Sequence, residues 1–278
     1  MKKILLLVPW ILLFFSLFNM VSAEVKPDPD TLLSYQVEML SWEEVNHILP
    51  KYSIFKVVDV ETGKSFMVQR RAGNYHADVQ PLSHQDTKMM KEIYNGEWSW
   101  KRRAILVVVE DEWIAASMHG MPHGAGSLKN GFPGHFCIHF YGSKTHKSND
   151  EDLSHHLMIL KAAGKLEEFV RDADASQVVN TFFAGLKQHD ETIVKSVIVP
   201  GQKVKWQQVW DEMNNVSLVS FSIPKDNKTD FYLEVPVKYE WIHKDIGRKT
   251  YKNEIHLVKL SPTRGWKVDA EWISDGVY

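Results

Sequence analysis

Apolar residues recur at helix spacing in some stretches of the chain and at strand spacing in others. Trp42 to Leu49 carries a short helical pattern that Pro50 stops. The run "SIFKVVDVETGKSFMVQR" reads as two β-rich arms around Glu61-Thr62-Gly63-Lys64, with Gly63 supplying the turn of a hairpin. A helix is expected from about Gln85 to Tyr94, closed by Asn95-Gly96. "AILVVVEDEWIAASM" is a second hairpin about Glu110-Asp111. Its first arm is apolar on both faces, which places it centrally in a sheet. A loop rich in Gly and Pro, Gly120 to Gly134, then leads into a strand from His135 to Tyr141.

Asp150 to Val170 predicts one acid-started amphipathic helix, and Arg171-Asp172-Ala173-Asp174 is the candidate domain boundary. Beyond it come the helices "SQVVNTFFAGLKQ" and "DETIVKSVI", then long alternating strands: "VSLVSFSI", "DFYLEVPVKYEWIHK", "TYKNEIHLVKL" and "GWKVDAEWI". The expected class is α+β, with a β-rich domain over 24–172 and a helix-plus-curved-antiparallel-sheet domain over 174–278. The pattern of the second resembles the cystatin-like or SnoaL-like fold.

The N-terminus changes the setting. Lys2 and Lys3, an apolar run from Ile4 to Phe18, and Val21-Ser22-Ala23 read as a secretory signal peptide over residues 1–23; the run is short of the ~20 residues that span a bilayer. Membrane contact is thus expected only through this leader. Its removal leaves 31 basic against 35 acidic side chains. That balance argues against a nucleic-acid binder. The mature chain would hold a single cysteine, Cys137, which excludes an internal disulfide.

That cysteine lies in "GHFCIHF". On a strand His135, Cys137 and His139 share one face, while Phe136, Ile138 and Phe140 share the other. The apolar face can enter a core and the polar one can be displayed. A free cysteine kept as filler belongs on the apolar side. A cysteine beside imidazoles is a candidate nucleophile, because the thiolate attacks and an imidazole can take its proton. The neighbours on one strand are poorly aimed for this, which points to a base from elsewhere; "ASMHGMPHGAG" supplies His119 and His123.

"HG", about fourteen residues, then "GHFCIH" resembles the signature of the L,D-transpeptidases, cell-wall enzymes with a catalytic cysteine. The longer string "HGMPHGAGSLKNGFPGHFCIHFYGSKTH" is similar to one found in secreted proteins of Gram-positive spore-formers. The chain departs from the signature at Gly134, where Ser or Thr is usual, at Phe136, where glycine is usual, and at His139, where Arg or Asn is usual; the upstream Thr-Pro-x-Gly stretch is missing. The resemblance implies an L,D-transpeptidase-like catalytic domain over 24–172. It assigns Cys137 as nucleophile, His119 as base, the Gly120 carbonyl as the group orienting the His119 ring, and His135 as a polarising neighbour. It implies acyl transfer on peptidoglycan stem peptides in a secreted, wall-associated protein, with no metal or organic cofactor required.

Other readings stay open at this level. A non-catalytic envelope module would use the same cleft to bind wall peptide or a metal ion. His119, His123, His135, Cys137, His139 and His146 offer mixed His/Cys ligands, although Pro122 does not suit a helical His-x-x-x-His pair. His139 and His123, with Arg71, His76 and Asp78 of "QRRAGNYHADVQP", are candidate substrate contacts. The alternative for the Arg70, Arg71, His76 and Asp78 cluster is a solvated loop. His155 and His156 are expected on a wet helix face. Trp98 and Trp100 are candidates either for stacking on sugar or for core packing.

Overall fold

The alternation that begins at Ile54 closes on itself. The structure, a computed structural model, describes residues 36–145, 150–224, 231–243 and 246–271. The expected leader, with its cleavage site, and His146 lie outside the described residues. The first half contains β1 (Val37–Glu38), α1 (Trp42–Ile48), β2 (Ile54–Asp59), β3 (Ser65–Ala72), β4 (Ala77–Pro81), α2 (His84–Ile93), β5 (Arg102–Val109), β6 (Glu112–His119) and β7 (Phe136–His139). Strands β6-β5-β2-β3-β4-β7 are paired in that order, and β7 pairs back onto β6, so six antiparallel strands form a closed barrel; β1 adds in parallel to β6. The architecture is α+β.

Local chemistry explains the boundaries. Ser41 and Glu44 form a reciprocal capping box at the start of α1. In the β2–β3 turn Gly63 adopts φ 66°, a conformation glycine reaches without steric cost. Buried Asp59 stiffens the same turn: its carboxylate accepts from Thr62 N at 2.9 Å and from Arg103 Nε at 2.6 Å. The barrel interior is filled by Phe55, Val57, Phe66, Val68, Val79, Ile105, Val107, Ile114, Met118, Phe136 and Ile138, all buried.

The stretch "ADVQP" is not a solvated loop. It is strand β4, buried at all five positions and hydrogen-bonded between β3 and β7. The long helix expected over 150–170 is two helices, α3 (Leu153–Ala162) and α4 (Leu166–Asp172), because Gly164 at φ 68° turns the chain between them.

Helices α5 (Ala175–Gln188), α6 (Glu191–Val197) and α7 (Trp206–Met213) follow, then an antiparallel sheet of β8 (Val216–Phe221), β9 (Tyr232–His243), β10 (Gly247–Lys259) and β11 (Trp266–Val268) in the order β11-β10-β9-β8. Helix α7 had no counterpart in the sequence pattern. A second hydrophobic core joins these elements, and it takes Leu157, Met158 and Leu160 from α3 and Leu166 and Val170 from α4. Residues from Gln36 onward cluster as one compact unit.

The seam between the two cores is polar. Arg102 pairs with Asp152 at 2.7 Å, and Lys161 bridges Glu61 at 2.8 Å and Asp190 at 2.6 Å. Lys101 Nζ donates to His189 Nδ1 at 2.8 Å while the His189 ring stacks on Trp210. Burial, then the neighbouring Lys101 charge, lowers the His189 pKa to about 4. The unfolded chain, with an imidazole near 6.5, therefore takes up this proton first. Stability is expected to fall as pH drops from about 6.5 to about 4 and to gain no further loss from this group below that. Urea midpoints measured across that window should show a shallower slope in His189→Gln; an unchanged slope would remove His189 as a contributor.

Candidate functional site

The barrel has two faces at β4, β7 and β6, and the chemistry sits on the outer one. Phe136 and Ile138 point into the barrel core. By alternation Cys137 and His139 point outward, as do His76, Asp78 and Gln80 of the β4 segment and Ser117 and His119 of β6. Helix α3 packs against β5 and β6 and sets His155 on His139 and Ser117, while the loop 120–134 returns over Cys137. The face is therefore buried rather than displayed: Cys137 is 3% exposed and His139 3%. His155 is equally buried, not on a wet surface; its Nδ1 lies 2.9 Å from Ser117 Oγ. His156, beside it, pairs with Glu151 at 2.8 Å.

The loop 120–134 brings two more imidazoles back over the cysteine. His123 and His135 exchange backbone hydrogen bonds at 2.9 Å each, as an isolated antiparallel bridge. Gly134 permits this return: it sits at φ 133°, and a Cβ there would lie 2.5 Å from the His123 carbonyl oxygen. Ser or Thr does not fit at this position. Buried Gln80 pins the loop, donating to the Gly134 carbonyl at 2.8 Å and accepting from Ser127 N at 3.0 Å.

Cys137 Sγ lies 3.3 Å from His123 Nε2 and 3.6 Å from Asp78 Oδ1. His123 Nδ1 lies 3.1 Å from the Met121 carbonyl. Since a carbonyl only accepts, this contact places the proton on Nδ1 and leaves the Nε2 lone pair facing the thiol. His123, read from sequence as a substrate contact, is thus the ring in hydrogen-bond contact with the cysteine. His119 is close by: one nitrogen each of His119 and His123, together with Cys137 Sγ, lie within 4.8 Å of one another. No carbonyl holds the buried Nδ1 of His119, from Gly120 or elsewhere, since that atom has no hydrogen-bond partner. Burial, with the neighbouring His123 next in weight, lowers the His119 pKa to about 3, so its ring is neutral at pH 7. Gly120 instead lies against the Tyr94 ring, where a Cβ would come within 2.5 Å.

Around this pair the remaining candidates take defined places. His135 Nδ1 meets the Ala125 carbonyl at 3.0 Å, and its Nε2 lies 3.8 Å from Asp78. His76 is tied at both nitrogens, to the Lys144 carbonyl at 2.7 Å and to Asp78 at 3.2 Å. The rings of His76, His139 and His155 stack in a column with centroids 4.5 and 3.8 Å apart. Burial first, then the Asp78 carboxylate, pushes the Cys137 thiol pKa well above its ordinary value. The resting group is a protonated thiol.

Arg71 is bonded to Ser127 of the loop at 2.7 Å and lies over the Tyr52 ring. Arg70 is structural: it is buried against the Trp42 ring and donates to Asn46 Oδ1 at 2.7 Å. Trp98 packs edge-on against Phe132 on the core side. Trp100 is 51% exposed and lies over His119 and His123, so it forms an outer wall of the site. His155 and Ser117 were missed by sequence reasoning, because no spacing rule links α3 to β6. In comparisons with known proteins, no family model, no curated protein and no solved structure matches this chain.

Proposed function

We propose that this chain is a cysteine acyltransferase or peptidase of the cell envelope, similar to the L,D-transpeptidases, acting on peptidoglycan stem peptides. The observation that carries the reading is the line from Cys137 Sγ to His123 Nε2 and from His123 Nδ1 to the Met121 carbonyl. It has the parts a thiol nucleophile needs: a proton acceptor in reach, and a third group fixing that acceptor's tautomer. The signature motif places the base at His119; the hydrogen-bond geometry favours His123.

His123 Nε2 takes the Cys137 proton as Sγ bonds to a peptide carbonyl carbon. The C–N bond then breaks, and the His123 imidazolium returns that proton to the departing amine. A second amine, or water, attacks the thioester; the C–S bond breaks, and the incoming nucleophile's proton passes through His123 to the thiolate. Cys137 is covered at rest, so the half-buried rings of His123 and His135 must shift to admit the carbonyl. Exposed Trp100 offers an apolar wall there.

The test is acylation. Chelator-treated protein incubated with a carbapenem is expected to gain one adduct, mapped to Cys137 by mass spectrometry, with none in Cys137→Ala. It should also release product from purified muropeptides. A folded wild type that forms no adduct and releases no product sinks the reading.

A further inference from the structure

His119 is one of the buried imidazoles that the acyl-transfer scheme leaves unused. It is buried, its Nδ1 meets no hydrogen-bond partner, and it borders a thiol and a second imidazole. A buried imidazole nitrogen left unsatisfied costs about 1–3 kcal/mol, which calls for a compensating role.

We propose that His119, His123 and Cys137 form a binding site for a zinc-class divalent cation. Their ligand atoms lie within 4.8 Å of one another, and Cys137 Sγ and His123 Nε2 are already 3.3 Å apart. Ligands at tetrahedral angles around zinc sit roughly 3.3–3.7 Å apart, given Zn–N near 2.0–2.1 Å and Zn–S near 2.3 Å. The set therefore has to contract by about 1.5 Å at most, a side-chain adjustment. Imidazole and thiolate are the donor types zinc prefers.

The surroundings agree with that chemistry. The Met121 carbonyl fixes the tautomer that turns the His123 Nε2 lone pair toward Cys137 Sγ, as the outer partners of metal-bound histidines orient their ligands. Asp78, 3.6 Å from Sγ, supplies negative charge beside the cation. The alternative triplet of His76, Cys137 and His139 also lies within 4.8 Å, but His76 is tied at both nitrogens, to Lys144 and Asp78. Binding displaces the Cys137 proton to solvent and holds the sulfur as thiolate, so a cation overturns the effect of burial on the thiol. The cation site does not rest on the acyl-transfer reading. Only its consequence does: a metal-loaded Cys137 is a masked nucleophile.

Cobalt(II) is the probe, because a thiolate ligand gives it a charge-transfer band in the near ultraviolet and a tetrahedral site gives strong visible bands. Chelator-treated full-length protein is expected to bind one equivalent with both signatures, and zinc should displace it. Cys137→Ser should lose the charge-transfer band. His119→Gln should weaken binding by at least about 10- to 100-fold, the loss typical even of groups that only orient a ligand. Circular dichroism verifies that each variant is folded. As a readout on the wild type alone, zinc should slow iodoacetamide alkylation of Cys137. Absence of the charge-transfer band in folded wild type overturns the site. So does a band that survives His119→Gln at full affinity but vanishes in His139→Gln, which would assign the other triplet. Carbapenem acylation of the metal-free protein stands or falls separately.

Discussion

His123→Ala is expected to slow acylation of Cys137 by about 10²- to 10⁴-fold, the range a positioned general base contributes. The argument is geometric. Nε2 stands 3.3 Å from Sγ, and the Met121 carbonyl holds the opposite nitrogen. The thiol needs that help more than an exposed one would, because burial and Asp78 both favour its protonated form. Second-order rate constants for a carbapenem, read by intact mass, measure the loss, and the acid limb of the pH–rate profile should vanish with the imidazole. Acylation within about threefold of wild type would exclude His123 as base. A comparable loss in His119→Ala alone would return the role to the position the signature motif assigns.

The second large effect concerns the residue before the nucleophile. Phe136→Ala should destabilise the fold by about 3–5 kcal/mol, the usual cost of deleting a buried phenyl ring. Over a chain of this size that is roughly 6–20 °C in the melting temperature. Phe136 is fully buried inside the barrel, with ring centroids 6.2 Å from Phe66 and 5.7 Å from Phe132. Phe136→Gly should lower stability by a further ~0.5–1 kcal/mol through backbone freedom. Differential scanning calorimetry decides the matter. An unchanged melting temperature combined with faster acylation would make Phe136 a block to substrate rather than a core residue.

Strand alternation made much of this legible. "GHFCIHF" assigns Phe136 and Ile138 to the core and Cys137 and His139 to the opposite face, and the structure has them so. The hairpins at Gly63 and Glu110 and the capped helices α1 and α2 also followed from local signals. What could not be read were the consequences of closure. "ADVQP" alternates apolar and polar residues but is short and weak in strand propensity, and it becomes a strand because β3 and β7 supply its hydrogen bonds. His155 looked solvent-facing because it sits in a polar pair on a helix. It is buried because α3 lies between the barrel and the second core, so both of its sides are covered. The contact of His123 with the thiol depends on a loop that folds back through Gly134, and no residue spacing encodes that approach.

Closure of the barrel also decides where this chain is open to strand exchange with another copy. A sheet wrapped into a ring has no row of unpaired amides and carbonyls to offer, whereas an open sheet has two. Among the described residues, the barrel's one appended strand, β1, is only two residues long. The longer open margin belongs to β8 of the C-terminal sheet, since the three-residue β11 at its other side is bridged by Ile198. Aggregation by edge-to-edge addition would therefore begin in the half of the protein that holds no part of the cysteine site.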